Sequence, residues 1–231
     1  MRARTLLSLA DEARVLSDTV DDDHITSFTV DGVQCVTHWI NQGIAELWRK
    51  IVAADPDRYI VNTPLATTAG TSAYDLEEDF FQIRRVDRMD GTRRIPIEPF
   101  SLQQAPYDNA DPRSNGTRAR YRVMGQGIDG GTTQIFFDPD PGTATYSIWY
   151  VQAPQVLAAD DDVFDGVAGF EDFVVAFAAT RILIRQERDP SGPMAEMQRV
   201  QASIITAAAH RDVGRAPRIA DVRRGARMGW R

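Results

Sequence analysis

Apolar residues recur at helical spacing from the start of the chain: Leu6, Leu9, Ala10, Ala13 and Leu16 share one face of a segment over residues 4–16, which gives out at Asp21, Asp22 and Asp23. A longer stripe follows over 31–54, with Val33, Val36, Ile40, Ile44, Leu47 and Ile51 in line and Trp39, Gly43 and Trp48 beside them. Asp55-Pro56 closes it, because the residue before a proline is pushed out of the helical region. At Tyr59 the period drops to two. Tyr59 and Val61, Tyr74 and Leu76, and Phe81 and Ile83 with Arg85-Val86 read as strands separated by turns such as Ala69-Gly70-Thr71. Asp90-Gly91 reads as a hairpin turn of the kind that needs positive φ.

Beyond a loop at 104–116 rich in Pro, Asp and Asn, the stretches RARYRVM, TTQIFFD and ATYSIWYV bring the strand count to five or six. Helical spacing returns after Asp160, Asp161 and Asp162. Residues 170–188 are apolar on nearly every side and predict the most buried helix, ended by Asp189-Pro190. Pro193 then opens a last helix, carrying Met194, Met197, Val200, Ile204 and Ala208 on one face and running to about residue 211. The pattern predicts an α+β fold. About four helices from 1–57 and 158–211 form the core, an antiparallel β domain is inserted at 58–157, and an extended C-terminal arm occupies 212–231.

At 231 residues the chain can bury a proper core without staples. Its single cysteine, Cys35, forms no internal disulfide, which points to a reducing compartment and to a small buried apolar role. Asp11 and Glu12 interrupt the first apolar patch, so no export signal is expected, and the longest apolar run, 173–179, is too short to span a bilayer. A soluble chain with no membrane partner follows. Charge is segregated: the net is −7, yet the last eighteen residues hold six arginines against one aspartate, leaving −12 on the rest.

The candidate chemical motifs reduce to structure. Gly125, Gly127 and Gly130 match GxGxxG, but a dinucleotide loop must be followed by a helix, and here TTQIFFD predicts a strand. His24, His38 and His210 share no metal-ligand spacing, and the two aspartate triplets lack the spaced oxygens and central glycine of a calcium loop and read as solvated loops. The DPDPG at 138–142 has the composition of a tight turn. With no nucleophile elbow and no P-loop, the expectation is a non-enzymatic protein without catalytic residues, cofactor or metal.

The ending GRAPRIADVRRGARMGWR is therefore the segment that asks for a function. Arginine clusters bind phosphate, and a nucleic-acid-binding accessory protein using this tail is one open reading. Against it, the acidic body repels a duplex everywhere else. Trp230 among arginines is also the composition of a protein-interface anchor.

The order of motifs resembles the head-to-tail connector, or adaptor, proteins of tailed bacteriophages, including the tail tubular A type of short-tailed phages. The resemblance is carried by a first helix ending near LSDT, the helix HWINQGIAEL, and the strand pattern YDLEEDFF followed by Arg85-Val86. It continues through FFDPDPG with TYSIWYV, the helix FEDFVVAFAA, and PRIADVRR near the end. The resemblance implies a homo-oligomeric ring, usually of twelve copies, seated under the portal in the virion after synthesis in the host cytoplasm. The β part would face the tail or nozzle protein, and DNA would pass through the lumen without specific binding. It also implies portal-docking residues in the arm: Arg215, Arg218, Ile219, Val222, Arg223, Arg224, Arg227 and Trp230.

Overall fold

A helix of eleven residues is marginal in water on its own, since isolated helices shorter than about 12–15 residues barely form. The first helix, α1 (Leu6–Leu16), therefore owes its stability to what surrounds it. Leu6 and Leu9 are buried to 1% and 0% exposure, and each such side chain contributes roughly 1.5–3 kcal/mol. At its start the Thr5 hydroxyl accepts from Ser8 N–H while the Ser8 hydroxyl accepts from Thr5 N–H, a reciprocal cap. The free N–H groups of Leu6 and Leu7 donate to the carbonyls of Asp162 and Asp160, at 2.9 and 3.1 Å.

The computed structural model describes residues 4–19, 29–30, 33–101, 119–125, 132–166 and 169–210. After α1 come a two-residue pair, β1 (Thr29–Val30) and β2 (Val33–Gln34), then α2 (Cys35–Ala54), seven strands, α3 (Glu171–Arg185) and α4 (Ser191–His210). α2 begins four residues later than its apolar stripe predicts. Val33 belongs to β2 and is exposed, because it pairs across to Val30 instead of entering the helix.

α3 is the most buried helix, as its all-round apolar sequence requires: nine of its fifteen residues are buried, against eight of twenty in α2. α1 runs parallel to it, with Arg4 near Glu171 at one end and Arg188 bonded to the Ser17 carbonyl at the other. α2 runs antiparallel to α3. Cys35 meets Arg185, and Lys50 lies over the Phe173 ring. The two helices approach closely where Gly43 faces Phe177, since a Cβ on Gly43 would stand 3.2 Å from the ring. α1 and α4 each pack on both α2 and α3 and share no extensive contact with each other, so they flank that pair on opposite sides.

The strands number seven between α2 and α3, more than expected, and they form two sheets. β3 (Ile60–Thr67), β9 (Ala144–Gln152), β5 (Phe80–Asp90) and β6 (Arg93–Ile97) make one, in the order β3-β9-β5-β6. β4 (Ala73–Asp75), β8 (Gln134–Asp138) and β7 (Arg120–Met124) make the other, in the order β4-β8-β7. All pairs within both sheets are antiparallel. The edge strands of the larger sheet carry Pro64 and Pro96, which cannot donate to a further strand. Between the sheets lie Val86, Ile135, Phe137, Tyr146 and Ile148, with the Phe137 and Tyr146 rings 4.7 Å apart.

Two turns differ in kind from expectation. The β5–β6 hairpin turns at Gly91 and Thr92, one residue later than Asp90-Gly91, with Gly91 at φ +59° as a tight turn requires. The DPDPG stretch does not fold β8 back onto a neighbour; it carries the chain from one sheet to the other. Trp48 of α2 joins helices to sheets, its ring meeting Phe81 edge-on at 4.6 Å and Tyr59 at 6.5 Å.

Candidate functional site

Among the described residues, the motifs that carry the family resemblance hold the scaffold together. In LSDT, Asp18 sits at φ +55° and closes α1 with Thr19 N–H donating to the Arg14 carbonyl and Asp18 N–H to that of Val15. α3 ends the same way. Glu187 stands at φ +57°, and Arg188 N–H reaches back to Leu183. That closure stops α3 at Arg185, three residues short of the predicted end. The two closures meet, for the Arg188 guanidinium donates to the Ser17 carbonyl at 3.2 Å and to Asp18 at 3.4 Å.

In HWINQGIAEL, Asn41 makes a two-way clamp across 116 positions of sequence. Its Nδ2 donates to the Leu157 carbonyl at 2.8 Å, and its Oδ1 accepts from Leu157 N–H at 2.9 Å. Leu157 is 1% exposed, so no water replaces these bonds. The clamp fixes the segment between β9 and α3, and that segment also caps α1 through Asp160 and Asp162. The Asp162 carboxylate accepts from the N–H groups of Ala158 and Ala159, which hold its pKa below the usual value. This aspartate is thus a loop-shaping acceptor and not simply a solvated charge.

The acids of YDLEEDFF divide by position. Asp75 accepts from Thr132 and Gln134, and Asp79 from Tyr150 Oη at 2.8 Å and Gln152 Nε2 at 2.7 Å, while Glu77 and Glu78 are exposed. Asp140 of FFDPDPG accepts from Gly142 N–H and Gly70 N–H, which lowers its pKa and ties the β8–β9 crossing between the sheets to the β3–β4 crossing.

Burial, and then the hydrogen bond to Asp79, push the Tyr150 hydroxyl from 10.0 up to about 12. Raised in the folded chain, this pKa gives stability that is complete below pH 10 and lost as pH rises to about 12. Burial pushes Tyr59, Tyr121 and Tyr146 in the same direction. Denaturant melts between pH 9 and 12 are expected to show Tyr150→Phe losing less stability with pH than the unaltered chain. An equal loss in both would remove Tyr150 from the account. Burial likewise raises the Cys35 thiol, with Arg185 pulling the other way, and at 1% exposure the residue has the expected apolar role.

The predicted docking residues Arg215, Arg218, Ile219, Val222, Arg223, Arg224, Arg227 and Trp230 lie outside the described residues, as do His24 and Gly127 and Gly130 of the GxGxxG match. Among the described residues, the next element after that glycine stretch is strand β8, paired with β7, and not the helix that a phosphate-binding loop requires. His38 is part of the surface of α2, beside Gln42 at 2.8 Å. Among the described residues no three His, Cys, Asp or Glu side chains are grouped to hold a metal, and no helix is long and apolar enough to cross a membrane.

α4 ends at His210. Lys50 near the end of α2 contacts Gln201, so the last turns of α4 lie toward the end of the bundle where α2 leads into the strands and α3 begins. A cleft of about 350 Å³ lies there between helices and sheets, lined by Leu47, Trp48, Tyr59, Asp79 and Phe164.

No curated protein matches the chain. Residues 4–227 match the family described as SU10 adaptor protein, which takes in every one of these motifs and most of the basic arm. The chain belongs to this family of phage head-to-tail adaptors and is a structural component of the virion.

Proposed function

We propose that the protein forms a ring under the portal at the genome exit, fastened by its C-terminal arm and leaving a central passage for DNA. The observation that carries this reading is that the family match runs on to residue 227, so the basic segment belongs to the adaptor pattern itself. Geometry permits the reach. α4 ends at the β end of a bundle whose longest helices, of twenty residues, span about 30 Å, while the twenty-one residues after His210 would cover up to about 70 Å if extended. The arm can therefore pass back along the helices to a partner at the far end.

Gly214 and Pro217 break helical continuation, and Ile219 and Val222 supply apolar contacts between arginines, which suits a strand laid along a partner. The inserted β sandwich would then point toward the tail. Under the same proposal, the surplus of carboxylates on the body gives DNA phosphates no deep well, so a duplex slides without being held. The test is electron microscopy of the full-length protein mixed with portal. A second annulus stacked on the portal, coaxial with its channel, is the expected image. Portal particles without added density would overturn the reading.

A further inference from the structure

Two surfaces of the bundle remain uncovered by the described residues, and they are complementary. On one flank, α1 presents Leu7 and Val15 at 48% and 66% exposure. Asp11 lies between them on the same stripe, and the adjoining loop adds Val163 and the side chains of Asp160 and Asp161. Asp11 and Glu12 are balanced by Arg14 and Arg4, whereas Asp160 and Asp161 have no basic partner among the described residues. This flank is an apolar ridge with an acidic excess.

On the other side of the α2/α3 pair, α2 and α4 touch at Lys50 and Gln201 but spread apart toward the start of α4. The Phe177 ring forms the floor there, Met194 stands 42% exposed at the edge, and Arg181 lies 5.1 Å over the ring. Arg49, Lys50 and Arg181 line this groove against one carboxylate, Glu46, which already serves both Arg49 and Lys50. Arg181 has no acidic partner among the described residues. The groove is apolar below and basic above.

We infer that the ridge formed by α1 and the 160–163 loop of one copy seats in the α2/α4 groove of the next copy. Ridge and groove differ, and they face away from each other across α2 and α3. Their union is heterologous, so it does not stop at a two-fold dimer, and repeated head-to-tail with a rotation that closes it builds the proposed ring. Opposite charge sets the register, and the apolar strip supplies area that a lone protomer leaves in water. This inference rests on the ring reading above and names the contact that builds it.

Charge exchange tests it. All positions to be changed are exposed, so the fold, checked by circular dichroism, should persist. A ridge variant, Asp160→Arg with Asp161→Arg, and a groove variant, Arg49→Glu with Arg181→Glu, are each expected to associate roughly a hundredfold more weakly than the unaltered chain, because like charges then face across the contact. Mixed in equal amounts, the two should restore rings of alternating copies, seen by light scattering and electron microscopy with and without portal. Either variant assembling alone as the unaltered chain does would overturn the contact, and so would a mixture that stays dissociated. A groove variant that keeps its ring but loses portal would make portal the occupant and overturn it as well. An unaltered chain that stays monomeric even with portal would instead remove the ring reading itself.

Discussion

A chain ending at Val213 is expected to fold normally and to lose at least about a hundredfold in apparent affinity for portal, since linked sites gain roughly 10²–10⁴ by effective concentration. Folding should survive because every member of the described helical core lies at or before Ile204. The loss should be large because the proposed ring multiplies a weak contact. One arm offers two branched apolar side chains and a set of arginines that are costly to order individually. Once one copy has docked, the others are held near their own sites and bind as an intramolecular event. The salt dependence of the full-length protein should be steep for the same reason, with each arginine ion pair weakened by screening. Sedimentation of portal with the full and truncated chains at equal protein concentration reads the difference. Truncated protein that co-sediments within twofold of the full chain would mean that portal is held by some other part of the molecule.

Asn41→Leu is expected to cost about 2–4 kcal/mol of folding stability. The replacement matches the side chain in size but leaves both the N–H and the carbonyl of Leu157 buried without partners, and each such group carries a penalty of roughly 1–3 kcal/mol. At 231 residues, that corresponds to a fall in Tm of about 5–15 °C. Asn41→Asp should fare no better, because a carboxylate still accepts from Leu157 N–H but cannot donate to the carbonyl 2.8 Å from Nδ2. The damage should spread in a defined direction. Freed from α2, the 157–162 segment no longer presents the carbonyls of Asp160 and Asp162 to α1, so amide exchange in Leu6 and Leu7 should accelerate more than in α3. Urea melts and hydrogen exchange together check both parts. A stability loss below about 1 kcal/mol would show that packing around Leu157, and not the amide clamp, holds the segment.

On the proposed reading, arm and clamp serve different halves of what an adaptor must do: the arm would attach the protein, and the clamp would keep the body rigid while its neighbours move. Asn41, Arg188, Asp79 and Asp140 are all rigidifying groups, and each bonds to a residue distant in the chain. Asn41, Asp79 and Asp140 lie inside motifs that mark the family, and Arg188 braces another, LSDT, from outside it, which agrees with a structural component of the virion.

How much was legible beforehand depends on the range of the interaction concerned. Helix positions followed from apolar spacing, since α1, α2, α3 and α4 each bury a face that repeats every three to four residues. The switch to strands at Tyr59 and back near residue 170 was equally local. Helix ends were less so. Both α1 and α3 close on a left-handed residue that is not glycine, Asp18 and Glu187, and a non-glycine residue gives no warning of that conformation. A sign of the clamp was present, because an amide beside Ile40 and Ile44 faces toward a core and must find a partner there. Which partner it would be was not.

By itself, then, the sequence determined the alternation of helical and extended segments, the buried character of 170–185 and Cys35, the segregation of basic charge into the arm, and membership of the adaptor family through motif order. Only the tertiary structure decided that the strands divide into two sheets joined by the DPDPG crossing, that α1 and α4 flank the α2/α3 pair on opposite sides, and that Asp160 and Asp162 serve α1 through their carbonyls. The reason is physical. Periodicity and turn chemistry act over a few residues and are written in neighbouring side chains, whereas sheet partnership and helix docking depend on which distant surfaces lose most water by meeting, a comparison made only when the whole chain is folded.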